Sequence, residues 1–112
     1  MPGSLVTEPV MENIGPVVYR NIPELKPYKN NARTHSKKQV KQIAASIAQF
    51  GFVNPVLLDE EDYIIAGHGR VEAARLLDMP QVPAIKIAHL TPGQIKAYRL
   101  ADNKLAELAG WD

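Results

Sequence analysis

No cysteine occurs in the 112 residues, which excludes a disulfide framework, a thiolate metal site and a thiol nucleophile. No apolar run approaches the ~20 residues that span a bilayer. Met1–Asn13 lack the basic start and apolar core of a signal peptide, so no membrane partner and a cytoplasmic location are expected. No Gly-x-x-x-x-Gly-Lys loop is present, nor a His/Cys or His/His pair at metal-ligand spacing. No helix-turn-helix pair stands out and aromatic residues are 6%, so direct base reading by this chain is not expected. Acid is missing where it matters most. From Leu25 to Leu58 there is no Asp or Glu, while Lys26, Lys29, Arg33, Lys37, Lys38 and Lys41 all fall there. Although the net charge is only +1, such a stretch attracts phosphates or a nucleic-acid backbone, with a plain solvated face as the alternative.

What is present suffices for one small core. The apolar content is 46% and the mean hydropathy −0.18, as in ordinary globular domains. Residues 1–15 read as a flexible leader and 16–112 as one domain. "PVVYRNI", 16–22, suits an edge strand, and the Pro- and Asn-rich 23–36 a loop. Ser36 with Gln39 forms a capping box for a helix in which Val40, Ile43, Ala44, Ile47 and Ala48 share a face until Gly51. Strands near 55–58 and 62–66 follow, joined by the acidic turn Asp59, Glu60, Glu61, Asp62. A short helix spans about 70–78, a strand 82–90, and a helix capped by Thr91-Pro92-Gly93-Gln94 continues to Leu108. Strands and helices interleave, giving an α+β (mixed α/β) class: a small, mostly mixed sheet with three to four helices.

Three constellations carry chemistry. In "IIAGHGRVEAARLL", 64–77, a strand passes through Gly67, His68, Gly69 and Arg70 into a helix. Glycines let the chain turn sharply, but an arginine in a first helical turn opposes the helix dipole unless an anion sits there. Turn amides and the Arg70 guanidinium would then converge on one phosphate. His68 could contact that phosphate or be an ordinary surface imidazole. In "NNARTHS", 30–36, Arg33, Thr34, His35 and Ser36 at the head of a helix make a second anion corner, the bland alternative being a capped loop. A di- or triphosphate could bridge the two corners. In "YRLADNKLAEL", 98–108, Asp102 interrupts the apolar arc of Ile95, Tyr98, Leu105 and Ala109. Either Asp102 pairs with a cation such as Arg70 or a phosphate-bound metal, or the helix breaks and Asp102 caps a new one, the slightly favoured option. Asn103 beside it offers an amide oxygen.

These residues, together with "GFVNPVLLD", "VPAIKI" and "ADNKLAELAGWD", resemble in order the ParB N-terminal domain of the ParB/sulfiredoxin fold, from about Val17 to Asp112. The subtype that the chain resembles is the ParB-like domain preceding DNA modification methylases of phages and bacteria. The resemblance implies binding of a nucleoside triphosphate, CTP or ATP, with Mg²⁺, and DNA as a partner through a longer protein, a DNA methyltransferase. A homodimer is left open. It gives Gly67, His68, Gly69 and Arg70 the role of a Gly-Glu-Arg-Arg type turn and maps Gly51, Asn54 and Pro55 onto a Gly-x-x-Gln-Pro element. Asp102 and Asn103 fall on a Glu-Asn-x-x-Arg element whose arginine is missing. Sulfiredoxin chemistry needs a cysteine where His68 stands and is excluded. The alternative is an enzyme, a ParB-like nuclease or a small phosphotransferase. Free-serine kinases of this fold share a Gly-His-His-Arg turn, and a base in the amino-terminal loop, for which Glu24 is a guess, would be needed. No catalytic residue is assigned.

Overall fold

Alternating apolar positions along the strands sort onto two faces of one sheet, and each face takes its own helices. The computed structural model describes residues 15–27 and 35–108, with side chains as far as Asp102. The strands are β1 (Val17–Asn21), β2 (Val56–Leu58), β3 (Ile64–Ala66) and β4 (Gln81–Lys86). The helices are α1 (Lys37–Phe50), α2 (His68–Leu76) and α3 (Pro92–Leu108). The strand order is β1-β4-β2-β3. β2 runs parallel to β4, and the other pairs are antiparallel, so the sheet is mixed as expected. On one face Val56, Leu58, Ile64, Val82 and Ala84 pack with Ile22, Leu25 and the α2 residues Val71 and Ala74. On the other, Ile65 and Ile87 pack with Ile95 of α3. Among the described residues no helix is long and apolar enough to cross a membrane.

Both capping boxes form. Ser36 Oγ accepts from the Gln39 amide at 3.1 Å while Gln39 Oε1 accepts from the Ser36 amide at 3.2 Å, and Thr91 and Gln94 do the same for α3. Ser36→Ala is expected to cost about 1 kcal/mol. A thermal melt checks this, and an unchanged Tm would show the cap to be dispensable.

Several boundaries differ from expectation for local reasons. α2 begins at His68 rather than near 70, because Gly67 makes the whole turn in one residue, at φ 109. His68, Gly69 and Arg70 therefore form the first helical turn. β3 starts at Ile64, since Asp62 sits at φ 72 and the Asp59 carboxylate accepts from the Glu61 and Tyr63 amides at 2.8 and 3.0 Å. The acidic turn is only partly solvated: Asp62 pairs with Arg20 at 2.6 Å and Lys86 at 3.4 Å. β4 ends at Lys86 instead of running to 90. The stripe on α1 is thinner than its spacing suggests: Ala44 is buried, Val40, Ile43 and Ile47 are half-buried, and Ala48 is exposed.

One expectation is overturned. α3 runs unbroken from Pro92 to Leu108, so Asp102 does not cap a new helix. A cap needs an extended residue and free amides behind it. After Gly93 the segment has no Gly or Pro to create them.

Candidate functional site

The site is built where α2 leaves β3, and its two glycines are there for space. A Cβ on Gly67 would lie 3.3 Å from the Cα and the Cγ2 of Val56 and 3.1 Å from Arg70 Nη2. A Cβ on Gly69 would lie 2.9 Å from both His35 Nε2 and Ile43 Cδ1. The first turn of α2 is thus pressed against β2 on one side and the head of α1 on the other. No side chain caps α2, so its leading amides have no side-chain acceptor.

Cationic groups gather around that turn. Arg70 folds back: its Nη2 donates to the Pro55 carbonyl at 3.0 Å, while its buried Nε has no hydrogen-bond partner. Burial lowers the Arg70 pKa, and the carboxylate of Asp102, followed by Tyr98, opposes that shift. The guanidinium stays charged regardless. Half-buried Asp102 therefore acts electrostatically on Arg70. Tyr98 is pushed upward, chiefly by burial and then by Asp102, with Arg70 pulling it down. His68 is pushed below its ordinary value by burial, then by the charges of His35 and Arg99, with Glu72 opposing. Its Nε2 is buried without a hydrogen-bond partner.

One member of the second corner read from sequence lies beside the first. His35, at the head of α1, touches the backbone of Gly69 in the second position of α2. Ser36 spends its oxygen lone pair on the α1 cap, which leaves its own O–H proton available as a donor. Asn54 is exposed on the approach to β2, next to the Pro55 carbonyl that anchors Arg70. Glu24 is paired with Arg20 at 3.3 Å. Arg33 and Thr34 lie outside the described residues, as does the side chain of Asn103. Sequence reasoning missed Arg99, only 6% exposed and close enough to act on His68. A signal existed: Arg99 is four residues after Ile95, on the inward stripe that had singled out Asp102.

The family described as the ParB N-terminal domain matches residues 7–104. The ParB-like nuclease domain-containing protein YnaK of Escherichia coli (strain K12) is 58% identical over 78 residues, which cover 70% of this chain and 90% of YnaK. The C-terminally truncated chromosome-partitioning protein ParB of Caulobacter crescentus, complexed with CTP-gamma-S, aligns with a TM-score of 0.69 at 21% identity, over 80% of this chain and 53% of that one. Sulfiredoxin from Arabidopsis thaliana aligns with a TM-score of 0.62 at 22% identity, over 75% of this chain and 97% of that one. At such identities the two structures establish a shared fold. The chain spans about half the length of the Caulobacter protein it matches.

Proposed function

This chain belongs to the ParB N-terminal domain family, and on that footing we propose that it is a nucleotide-binding module whose α2 turn seats the phosphates of CTP or ATP. The approach of His35 to Gly69 is the observation that supports this reading, because it brings a member of the second anion corner to the start of α2. The amides of His68, Gly69 and Arg70 and the guanidinium of Arg70 meet the phosphates. His35, His68 and the Ser36 hydroxyl close the α1 side, and Arg33 and Thr34, just before them in sequence, are proposed as further phosphate contacts. Asn54 lies at the β2 side. The Caulobacter relative bound to CTP-gamma-S supports a nucleotide as the ligand.

Asp102 is the carboxylate that fits a phosphate-bound Mg²⁺, with Asn103 beside it. Among the described residues no group of three or more His, Cys, Asp or Glu could hold a metal by itself. One carboxylate plus substrate phosphates is the usual way Mg²⁺ joins a nucleotide. DNA enters as a partner of a longer protein, for which the "IAGHGR" turn and "ADNKLAE" run support a DNA methyltransferase. The basic side of α1, with Lys37, Lys38 and Lys41 exposed, would contribute phosphate contacts. Pairing with a second copy is part of the same proposal.

The test is thermal unfolding with CTP or ATP, with and without Mg²⁺. Ligand at ~100 times its dissociation constant should add about 2.7 kcal/mol, a rise in Tm on the order of 10 °C. No rise with any nucleotide, together with salt-sensitive retention on DNA, would replace this reading by backbone binding alone. Metal-dependent turnover of DNA or nucleotide by the isolated domain, lost in Asp102→Ala, would favour the nuclease or phosphotransferase alternative.

A further inference from the structure

His68 holds the first position of α2, where the helix dipole already disfavours positive charge. Two groups on neighbouring segments act against its protonation, His35 ahead of α1 and Arg99 of α3. Glu72, one turn along α2, is the acid that acts on it, while Asp102 and Tyr98 act on Arg70. Its ring is largely enclosed, and its Nε2 finds no partner in the protein. A neutral imidazole offers one N–H, and a protonated one offers two.

Building on the nucleotide reading above, we propose that anion binding at the α2 turn is coupled to proton uptake by His68, so that the module holds its ligand more tightly in mild acid. In the ligand-free domain burial, and then His35 and Arg99, disfavour the protonated imidazole. A phosphate placed among these groups cancels their field and accepts a charge-assisted hydrogen bond from the imidazolium. By linkage, whatever the anion does for protonation, protonation does for the anion. The phosphates' own titration works the other way, since a cationic site prefers their deprotonated form and would tighten binding as pH rises. The sign of the pH dependence therefore identifies the titrating partner.

Stability gives an independent readout. Because folding lowers the His68 pKa below the ordinary 6.5, the unfolded chain takes up this proton first. The ligand-free domain should thus lose stability as pH falls below about 6.5, a contribution fully present only above it. CTP should reverse that trend.

The deciding experiment titrates the domain with CTP by calorimetry in buffers of different ionisation enthalpy, and follows the His68 imidazole by NMR. Net proton uptake near pH 6.5 is expected, with a dissociation constant roughly three- to tenfold lower near pH 5.5 than near 7.5. His68→Asn should abolish the uptake. Arg99→Gln should let His68 protonate without ligand and so reduce uptake, and should that variant fail to fold, His68→Asn still decides. CTP binding without uptake, or uptake that survives His68→Asn, overturns this inference and leaves the nucleotide reading standing. Absence of CTP binding at every pH overturns both.

Discussion

Arg70→Ala is expected to give a folded domain that gains almost nothing from CTP. The substitution removes two things of different size. The first is the hydrogen bond from Nη2 to the Pro55 carbonyl, 3.0 Å long, which ties α2 to the segment leading into β2. At a half-buried position this is worth about 1 kcal/mol, or roughly 4–8 °C in Tm. The core is untouched, because Val71 and Ala74 hold α2 on the sheet without it. The second is the phosphate contact. A charge-assisted guanidinium contact of about 2–3 kcal/mol corresponds to a dissociation constant some 30- to 100-fold weaker. At a CTP concentration that saturates the native domain, the thermal shift then shrinks to a small remainder. Arg70→Lys keeps the charge but not the planar fork, and should fall in between. A full CTP shift in Arg70→Ala would mean that the guanidinium is only a strut to Pro55, and the phosphates would have to be sought elsewhere.

The parts of this fold that announce themselves in the sequence are those decided by neighbours in the chain. Ser36 and Gln39, like Thr91 and Gln94, need only each other and one turn of backbone to cap a helix. Val56 and Leu58 alternate with Leu57 on a strand too short to do anything else. The start of α2 was harder to place, since "GHGR" is compatible with a turn of several residues or of one. What decides is the approach of Val56 to Gly67, a contact between residues eleven positions apart in sequence. Asp102 stands out as a carboxylate on an apolar arc, but that the charge acting on it is Arg70 depends on the fold, which no local pattern contains. Arg99 escaped because a long basic side chain is ordinarily taken to reach out to solvent from its stem. His35 was recognised as a candidate, yet its partner is a glycine with no side chain to suggest it.

That last contact yields the severest expected effect. Glycine inside a helix ordinarily costs about 1 kcal/mol relative to alanine, so a substitution at Gly69 ought to stabilise α2 if propensity decided the matter. Packing decides instead, since a Cβ there falls 2.9 Å from His35 Nε2 and 2.9 Å from Ile43 Cδ1. Ile43 can yield at its flexible tip, but the imidazole of His35 must move as a rigid ring. Gly69→Val is therefore expected to destabilise the domain by about 2–3 kcal/mol, on the order of 10 °C or more in Tm. It should also lose the CTP shift even where the domain remains folded, because the cheapest relief drives His35 away from the phosphate seat. Pairing Gly69→Val with Ile43→Ala separates the two effects. The smaller side chain returns room on the α1 side, so part of the Tm should recover, while His35 stays displaced and CTP still fails to stabilise. Recovery of both Tm and CTP response in the double variant would show that α1 packing alone was at stake, and that His35 plays no part in seating the anion.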